Sequence, residues 1–192
     1  MHIVHVSSVH NAQDPRIRGK QMQSIVSRGW RATLITGDMQ ALEGDGARVV
    51  PVSPGNARRG RRMMLTAPRA VLRALKEDAD IYQIHDPELL PWALILRIRG
   101  RPVVYDIHED YSSALRQKSY LPRLVRQWAA GLLDQAEKVL GSAFDQIIAE
   151  KYYRKRFPKA LPILNYPDLS RIGSCDAFAP GSKRILYTGN VT

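Results

Sequence analysis

The sequence predicts an α/β fold built on a parallel sheet, and three observations carry that expectation. Short runs of β-branched and aliphatic residues recur along the chain. Longer stretches with helical spacing separate them, the pattern of consecutive βαβ units. Among 192 residues, 44% are hydrophobic and 24% charged, close to packed domains and far from disordered or collagen-like chains.

Each element follows in order. Residues 3–6 form the first strand, and a polar loop over 7–14 leads to Pro15, one residue into a helix that Asp14 is placed to cap. Gly29 ends that helix. Residues 32–36, 49–52 and 81–84 are the next strands, each short and apolar as buried parallel strands are. His85-Asp86-Pro87-Glu88 then reads as a helix start, capped by Asp86 and opened by Pro87, with the helix running to about Ile98. A strand over 102–105 ends in Asp106-Ile107-His108-Glu109-Asp110. Leu124, Trp128, Leu132, Leu133 and Ala136 follow helical spacing, which predicts a long helix over 121–140. A strand at 147–149, a basic helix at 151–157 and the run 161–164 close a domain over residues 1–164. Residues 165–183, with Pro167, Gly173, Pro180 and Gly181, have the character of a linker, and 184–192 read as the cut first strand of a second domain.

Charge narrows the function classes. Twenty-nine Lys and Arg against 18 Asp and Glu give a net charge of +11. From Ala47 to Lys76 there is no acid, and Arg58, Arg59, Arg61 and Arg62 precede an apolar stripe that begins at Met63 and Met64. Val71, Leu72 and Leu75 of that stripe suit the core, whereas the arginines suit an anionic membrane surface. Nucleic acid is disfavoured: there are three Phe and no RNP, zinc-finger or helix-turn-helix signature. The single Cys175 closes no internal disulfide and lacks the company a zinc site needs, which fits a reducing cytoplasm. With no signal peptide and no apolar span, the expected location is cytoplasmic or peripheral on the inner face of the cell membrane.

In open parallel sheets ligands sit beyond the carboxyl ends of the strands, so three loops are candidate sites. The first holds Ser7, His10, Asn11, Asp14 and Arg16 ahead of a helix N-terminus, suited to an anion or to sugar hydroxyls. It has no G-x-G-x-x-G, and as a plain surface loop with a capping Asp14 it needs no ligand. The second holds His85, Asp86 and Glu88, which helix-start grammar also accounts for. The third holds Asp106, His108 and Glu109; a strand-end histidine among acids can be held or charged by a carboxylate. No metal motif is present.

These segments resemble the N-terminal domain of family 4 retaining glycosyltransferases of the GT-B fold. The resemblance rests on Asp14-Pro15-Arg16-Ile17, SRGWRATLITG from Ser27, HDPELL from His85, VVYDIHEDY from Val103, and Asn165-Tyr166-Pro167 before ILYTG, in that order along nearly the whole chain. It implies a Rossmann-like, doubly wound parallel sheet with helices on both faces, the acceptor-side half of a two-domain enzyme. It implies transfer from a nucleotide-sugar donor to a polysaccharide or lipid-linked acceptor in cell-surface glycan biosynthesis, with no cofactor and no obligate protein partner. His108 matches the family histidine near the donor sugar, and the 7–18 loop matches the one facing donor phosphates and acceptor. The Gly-Gly pair often found in that loop is replaced by Asn11-Ala12-Gln13. The family's paired glutamates and diphosphate-binding cations belong to the second domain, so this chain alone is expected to be inactive. The rival reading is a non-catalytic basic α/β module that docks on anionic membrane or a protein partner.

Overall fold

The computed structural model describes residues 1–38, 42–44, 46–52 and 62–166. Eight strands form one sheet in the order β3-β4-β2-β1-β5-β6-β7-β8. They are β1 His2–Ser7, β2 Arg31–Thr36, β3 Leu42–Gly44, β4 Ala47–Pro51, β5 Ile81–Ile84, β6 Val103–Ile107, β7 Asp145–Ile148 and β8 Leu161–Pro162. All neighbours pair in parallel except β3 with β4. The fold is the Rossmann-like α/β sheet expected, with one antiparallel edge hairpin that the sequence did not announce. Every residue of β1 is buried, as a central parallel strand requires when both of its faces are covered.

The helices are α1 Gln23–Val26, α2 Ala67–Leu75, α3 Leu90–Ile98, α4 Tyr111–Arg116 and α5 Arg123–Gly141. Wider π-helical turns, Ile17–Met22 and Arg62–Thr66, lead into α1 and α2. A 3-10 turn, Pro87–Leu89, leads into α3. The basic segment behind β7 is likewise a 3-10 turn, Lys151–Lys155, not an α-helix. The main core joins Val4, Val6 and Ile84 of the sheet to Ala70 and Val71 of α2 and to Ala93 and Leu96 of α3.

Two expectations need correction. Leu72, assigned to the core, is exposed; the buried face of α2 is Ala67, Ala70, Val71 and Ala74. The predicted acid-free basic run is partly neutralised from outside it, because Arg48 and Arg73 both pair with Glu77. The helix expected over 121–140 is present, and its Leu124, Trp128 and Leu132 point to solvent. Arg58, Arg59 and Arg61 lie outside the described residues, as do positions 167–192 of the predicted linker and final strand; Arg62 opens the second π-helical turn.

α5 meets the sheet through charge as well as apolar contact. Glu137, 1% exposed, accepts from the Tyr105 hydroxyl at 2.6 Å and from Arg156 Nη2 at 2.6 Å. Arg156 also pairs with Asp134 and Asp110. Burial raises the Glu137 carboxyl above its usual value, against the pull of Tyr105 and Arg156. Removing one partner of a buried pair typically costs about 3–5 kcal/mol, because the other charge is left uncompensated. Arg156→Leu should therefore lower the unfolding free energy by about 3 kcal/mol in urea titrations, and Glu137→Leu in the same chain should restore much of it. A loss under ~0.5 kcal/mol would show that Glu137 simply takes up a proton.

Candidate functional site

Sequence order reverses at β1, which has β2 on one side and β5 on the other. The crevice outside the carboxyl ends of β1, β5 and β6 is thus the switch point where open α/β sheets bind ligands. Asp106, fully buried near the end of β6, occupies its floor. Its carboxylate accepts from Arg16 Nη2 at 2.8 Å, Gln21 Nε2 at 2.6 Å and Gln83 Nε2 at 3.1 Å. Burial works against its charge, yet His108, His85 and Arg16 hold the carboxyl far below the usual range. Arg16 and Gln21 reach the same carboxylate because the backbone between them is π-helical: Gln21 N–H bonds Arg16 O across five residues at 3.0 Å. Asp14 starts this turn as expected, its Oδ1 accepting from the N–H groups of Arg16 and Ile17 at 2.9 and 2.8 Å.

Four histidines line the same crevice. His5 Nδ1 lies 3.0 Å from His85 Nε2, and His108 Nε2 lies 2.9 Å from His10 Nε2. His10 Nδ1 is 2.9 Å from Asp14 Oδ2, so Nδ1 carries a proton, and Nε2 shares one hydrogen bond with His108. His108 is thus held by another histidine; its nearest carboxylate, Asp106, is 3.8 Å away. The nitrogens of His85 and His108 and an oxygen of Asp106 lie within 4.8 Å of one another, close enough for a metal ion. The Arg16 guanidinium already holds that carboxylate, and a fixed cation there opposes a second. Arg16 Nε and His108 Nδ1 are buried without a hydrogen-bond partner, so the crevice keeps polar capacity that a ligand can fill.

Asp86 plays a different part from the one its sequence context suggests. It does not cap the turn that follows; its Oδ2 accepts from Ser8 N–H at 2.6 Å and the Ser7 hydroxyl at 2.8 Å. Ser8 Oγ in turn donates to Glu88 at 2.8 Å. The β1 loop is thereby tied to the β5 loop. Gly37 makes this fit possible, since a Cβ there would lie 2.8 Å from Ser8 O.

Of the residues named from sequence, Ser7, His10, Asp14, Arg16, His85, Asp86, Glu88, Asp106 and His108 converge. Asn11 instead turns outward and accepts from Gln13 N–H at 2.9 Å, and Glu109 is exposed at the rim, where its charge reaches His10. His5, Gln21, Gln83 and Tyr111 were missed. Gln83 is the one polar residue in the strand Ile81–Ile84, and that break in an apolar run was the available signal.

Burial lowers His5 to about 4 and lowers His85 well below its ordinary value. Both fold neutral, so as pH falls below 6.5 the unfolded chain takes up protons that the folded chain refuses. His10 runs the other way: burial opposes its charge, but the hydrogen bond to Asp14 and the charge of Asp86 raise it, so its contribution is full in acid and lost as pH rises through the raised value. His2 is likewise lowered by burial, so three histidines against one make acid the destabilising direction. Urea midpoints should fall from about pH 6.5 toward pH 4.5, with a slope near 1.4 kcal/mol per pH unit for each excess proton on the unfolded chain. A midpoint independent of pH across that window would mean that His5 and His85 titrate freely in the folded protein.

Comparison with known proteins bears on the fold and the family. Residues 18–150 match the family model described as a glycosyl transferase 4-like domain. Comparison with curated proteins finds no match. Among solved structures, sucrose-phosphate synthase from Thermosynechococcus elongatus superposes with a TM-score of 0.62 at 14% identity, over 85% of this chain and 47% of its own. Os79 from O. sativa, solved in complex with UDP, gives 0.55 at 15% identity over 85% and 51%. α,α-Trehalose 6-phosphate synthase from Burkholderia multivorans gives 0.52 at 12% over 82% and 41%. The chain therefore spans about half the length of these structures. With the family match covering most of its length and the same α/β fold beneath the crevice, the chain belongs to the glycosyl transferase 4-like domain family.

Proposed function

We propose that this chain is the acceptor-side domain of a retaining glycosyltransferase that moves a sugar from a nucleotide-sugar to an acceptor in cell-surface glycan synthesis. A second domain, beginning near residue 184 after a linker, would supply the paired glutamates and most of the nucleotide contacts. The observation that carries the reading is the convergence of Arg16, His10 and His108 at the switch point with buried polar atoms still unfilled. In sugar transfer the bond from C1 to the donor diphosphate breaks and negative charge grows on the leaving group. His10, held by Asp14 and with its value raised by that contact and by the charge of Asp86 against the cost of burial, would meet that charge when protonated. His108, bonded to His10, stands at the strand end where the donor sugar would lie and positions its hydroxyls. No cofactor or metal takes part in this scheme. A docking module has no use for such a buried histidine array, which weighs against the non-catalytic alternative.

Of the two acceptor classes, the lipid-linked one has structural support. A cavity of about 500 Å³ opens beside the crevice, lined by Met64, Pro91, Trp92, Leu115, Leu133 and Leu140. Glu88 and Tyr111 sit on its polar edge, and Tyr111 Oη lies 3.4 Å from Asp86. An apolar acceptor chain fits the cavity while its hydroxyl reaches the crevice. A lipid-linked acceptor would put the domain at the inner face of the cell membrane; among the described residues no helix is long and apolar enough to cross a bilayer.

In the two-domain enzyme His108→Ala should lower turnover about a hundredfold with folding intact, measured with labelled nucleotide-sugar. Transfer at the wild-type rate would remove His108 from the reaction. Ala136→Trp, which fills the cavity, should raise the KM for a lipid-linked acceptor and leave the donor KM unchanged; equal effects on both would place the acceptor elsewhere.

A further inference from the structure

α5 reverses the usual arrangement of a surface helix, which buries its apolar stripe and turns its charges to water. Its charges gather toward the sheet, where Glu137 and Asp134 hold Arg156 and Asp134 also takes Lys138. Past Arg123, no exposed residue of the helix carries a charge. Leu124, Trp128 and Leu132 stand outside instead, 70%, 80% and 74% exposed. Val125, Trp128, Leu132, Gln135 and Val139 are spaced three, four, three and four apart, the repeat of a seam along which two helices pack lengthwise. Ala130 and Glu137 fall opposite that seam, and they are the residues buried against the sheet.

The relief of this face identifies what packs on it. A groove of about 450 Å³ runs beside Gln127, Trp128, Gly131 and Leu132, and at Gly131 a Cβ would meet nothing within 4 Å. The tryptophan knob thus stands three residues from a hollow on its own helix, and a face that carries both is complementary to itself across a two-fold axis. In an antiparallel pair whose axis passes at the level of residues 129 and 130, Trp128 of each copy lies over Gly131 of the other and Leu124 over Gln135. Arg126 then comes level with Leu133, Asp134 with Val125 and Lys138 with Leu121, so no like charges meet.

Area and charge agree with that partner. Leu124, Val125, Trp128, Leu132 and Val139 are each more than half exposed, and with the exposed Gln127, Gly131 and Gln135 between them they form a face on the scale of the ~800 Å² that one partner brings to a standard interface. An apolar centre without charges is the composition of contacts between identical chains.

We infer that two copies of this chain pair through the outward face of α5, as an antiparallel two-fold dimer centred on Trp128 and Gly131. The contact needs no substrate, so it stands whether or not the chain transfers sugar.

Sedimentation velocity of the full chain tests it, and should show a monomer–dimer equilibrium from micromolar concentrations upward. Trp128→Ser with Leu132→Ser should raise the dissociation constant at least ~10-fold. Gly131→Arg, which fills the groove and sets like charges across the axis, should leave only monomer. Far-ultraviolet circular dichroism should keep its helical signal in both variants, because the replaced side chains are exposed and Gly131 has open space beside it. Salt should tighten the dimer, since each copy carries a charge of +11 and the seam holds no ion pair to screen. A chain that stays monomeric up to its solubility limit, a dimer unchanged in Gly131→Arg, or one that salt dissolves would overturn the inference. So would a monomer that co-sediments with phosphatidylcholine or phosphatidylglycerol vesicles and loses that binding in the Trp128→Ser, Leu132→Ser variant, since lipid would then cover the face.

Discussion

Burying the Asp106 carboxylate imposes conditions on most of the molecule's functional edge. An ion removed from water costs several kcal/mol unless its lone pairs are met by well-placed donors. Here the three donors come from two places far apart in sequence: Arg16 and Gln21 from the turn after β1, and Gln83 from β5. Gln83 reaches it only because β5 and β6 pair in a register that sets Gln83 against Val104, two residues before Asp106. Arg16 and Gln21 reach it only through the π-helical turn. One charge thus fixes a strand register, a local helix type and the orientation of the crevice wall.

A π-helical turn is rarer and looser than an α-helical one, and it persists here because both of its ends are held. Asp14 accepts the turn's first free N–H groups, and Asp106 clamps the side chains at its two levels. Asp14 also holds His10, so one residue both starts the turn and orients the imidazole that meets His108. The side chains are therefore set in place before any ligand arrives, which is the condition for fixed dipoles and charges to lower a barrier.

The strands were legible in the sequence because apolar runs of four to six residues are what a doubly covered parallel sheet selects, and β1, β2 and β5 appear within a residue or two of expectation. The strand-end loops were legible for the same reason, as topology puts ligands there. What sequence could not show were long-range pairings. Asp86 before Pro87 has helix-cap grammar, but Ser7 and Ser8, about 80 positions away, compete for its carboxylate and win. His5 lies within a strand whose other side chains are mostly apolar, and only the neighbouring β5 loop reveals that it faces His85. Periodicity gave the α5 helix but not its orientation, since an apolar stripe reads the same whether it faces the core or the outside.

That orientation follows from charge. If α5 rolled to bury Leu124, Trp128 and Leu132 against the sheet, Glu137 would leave both the Tyr105 hydroxyl and Arg156, and Arg156 would lose Asp134 as well. The roll would also take Ala130 and Gly141 out of the contact. Gly141 matters in this balance, because a Cβ there would sit 3.2 Å from the Gln146 side chain and 3.5 Å from the Tyr105 ring, so the helix approaches the sheet closely along the face that it now presents and a bulkier face would hold it away. The small, charged side of α5 is thus the one shaped for the sheet, and its apolar side is left to the outside by the same fit.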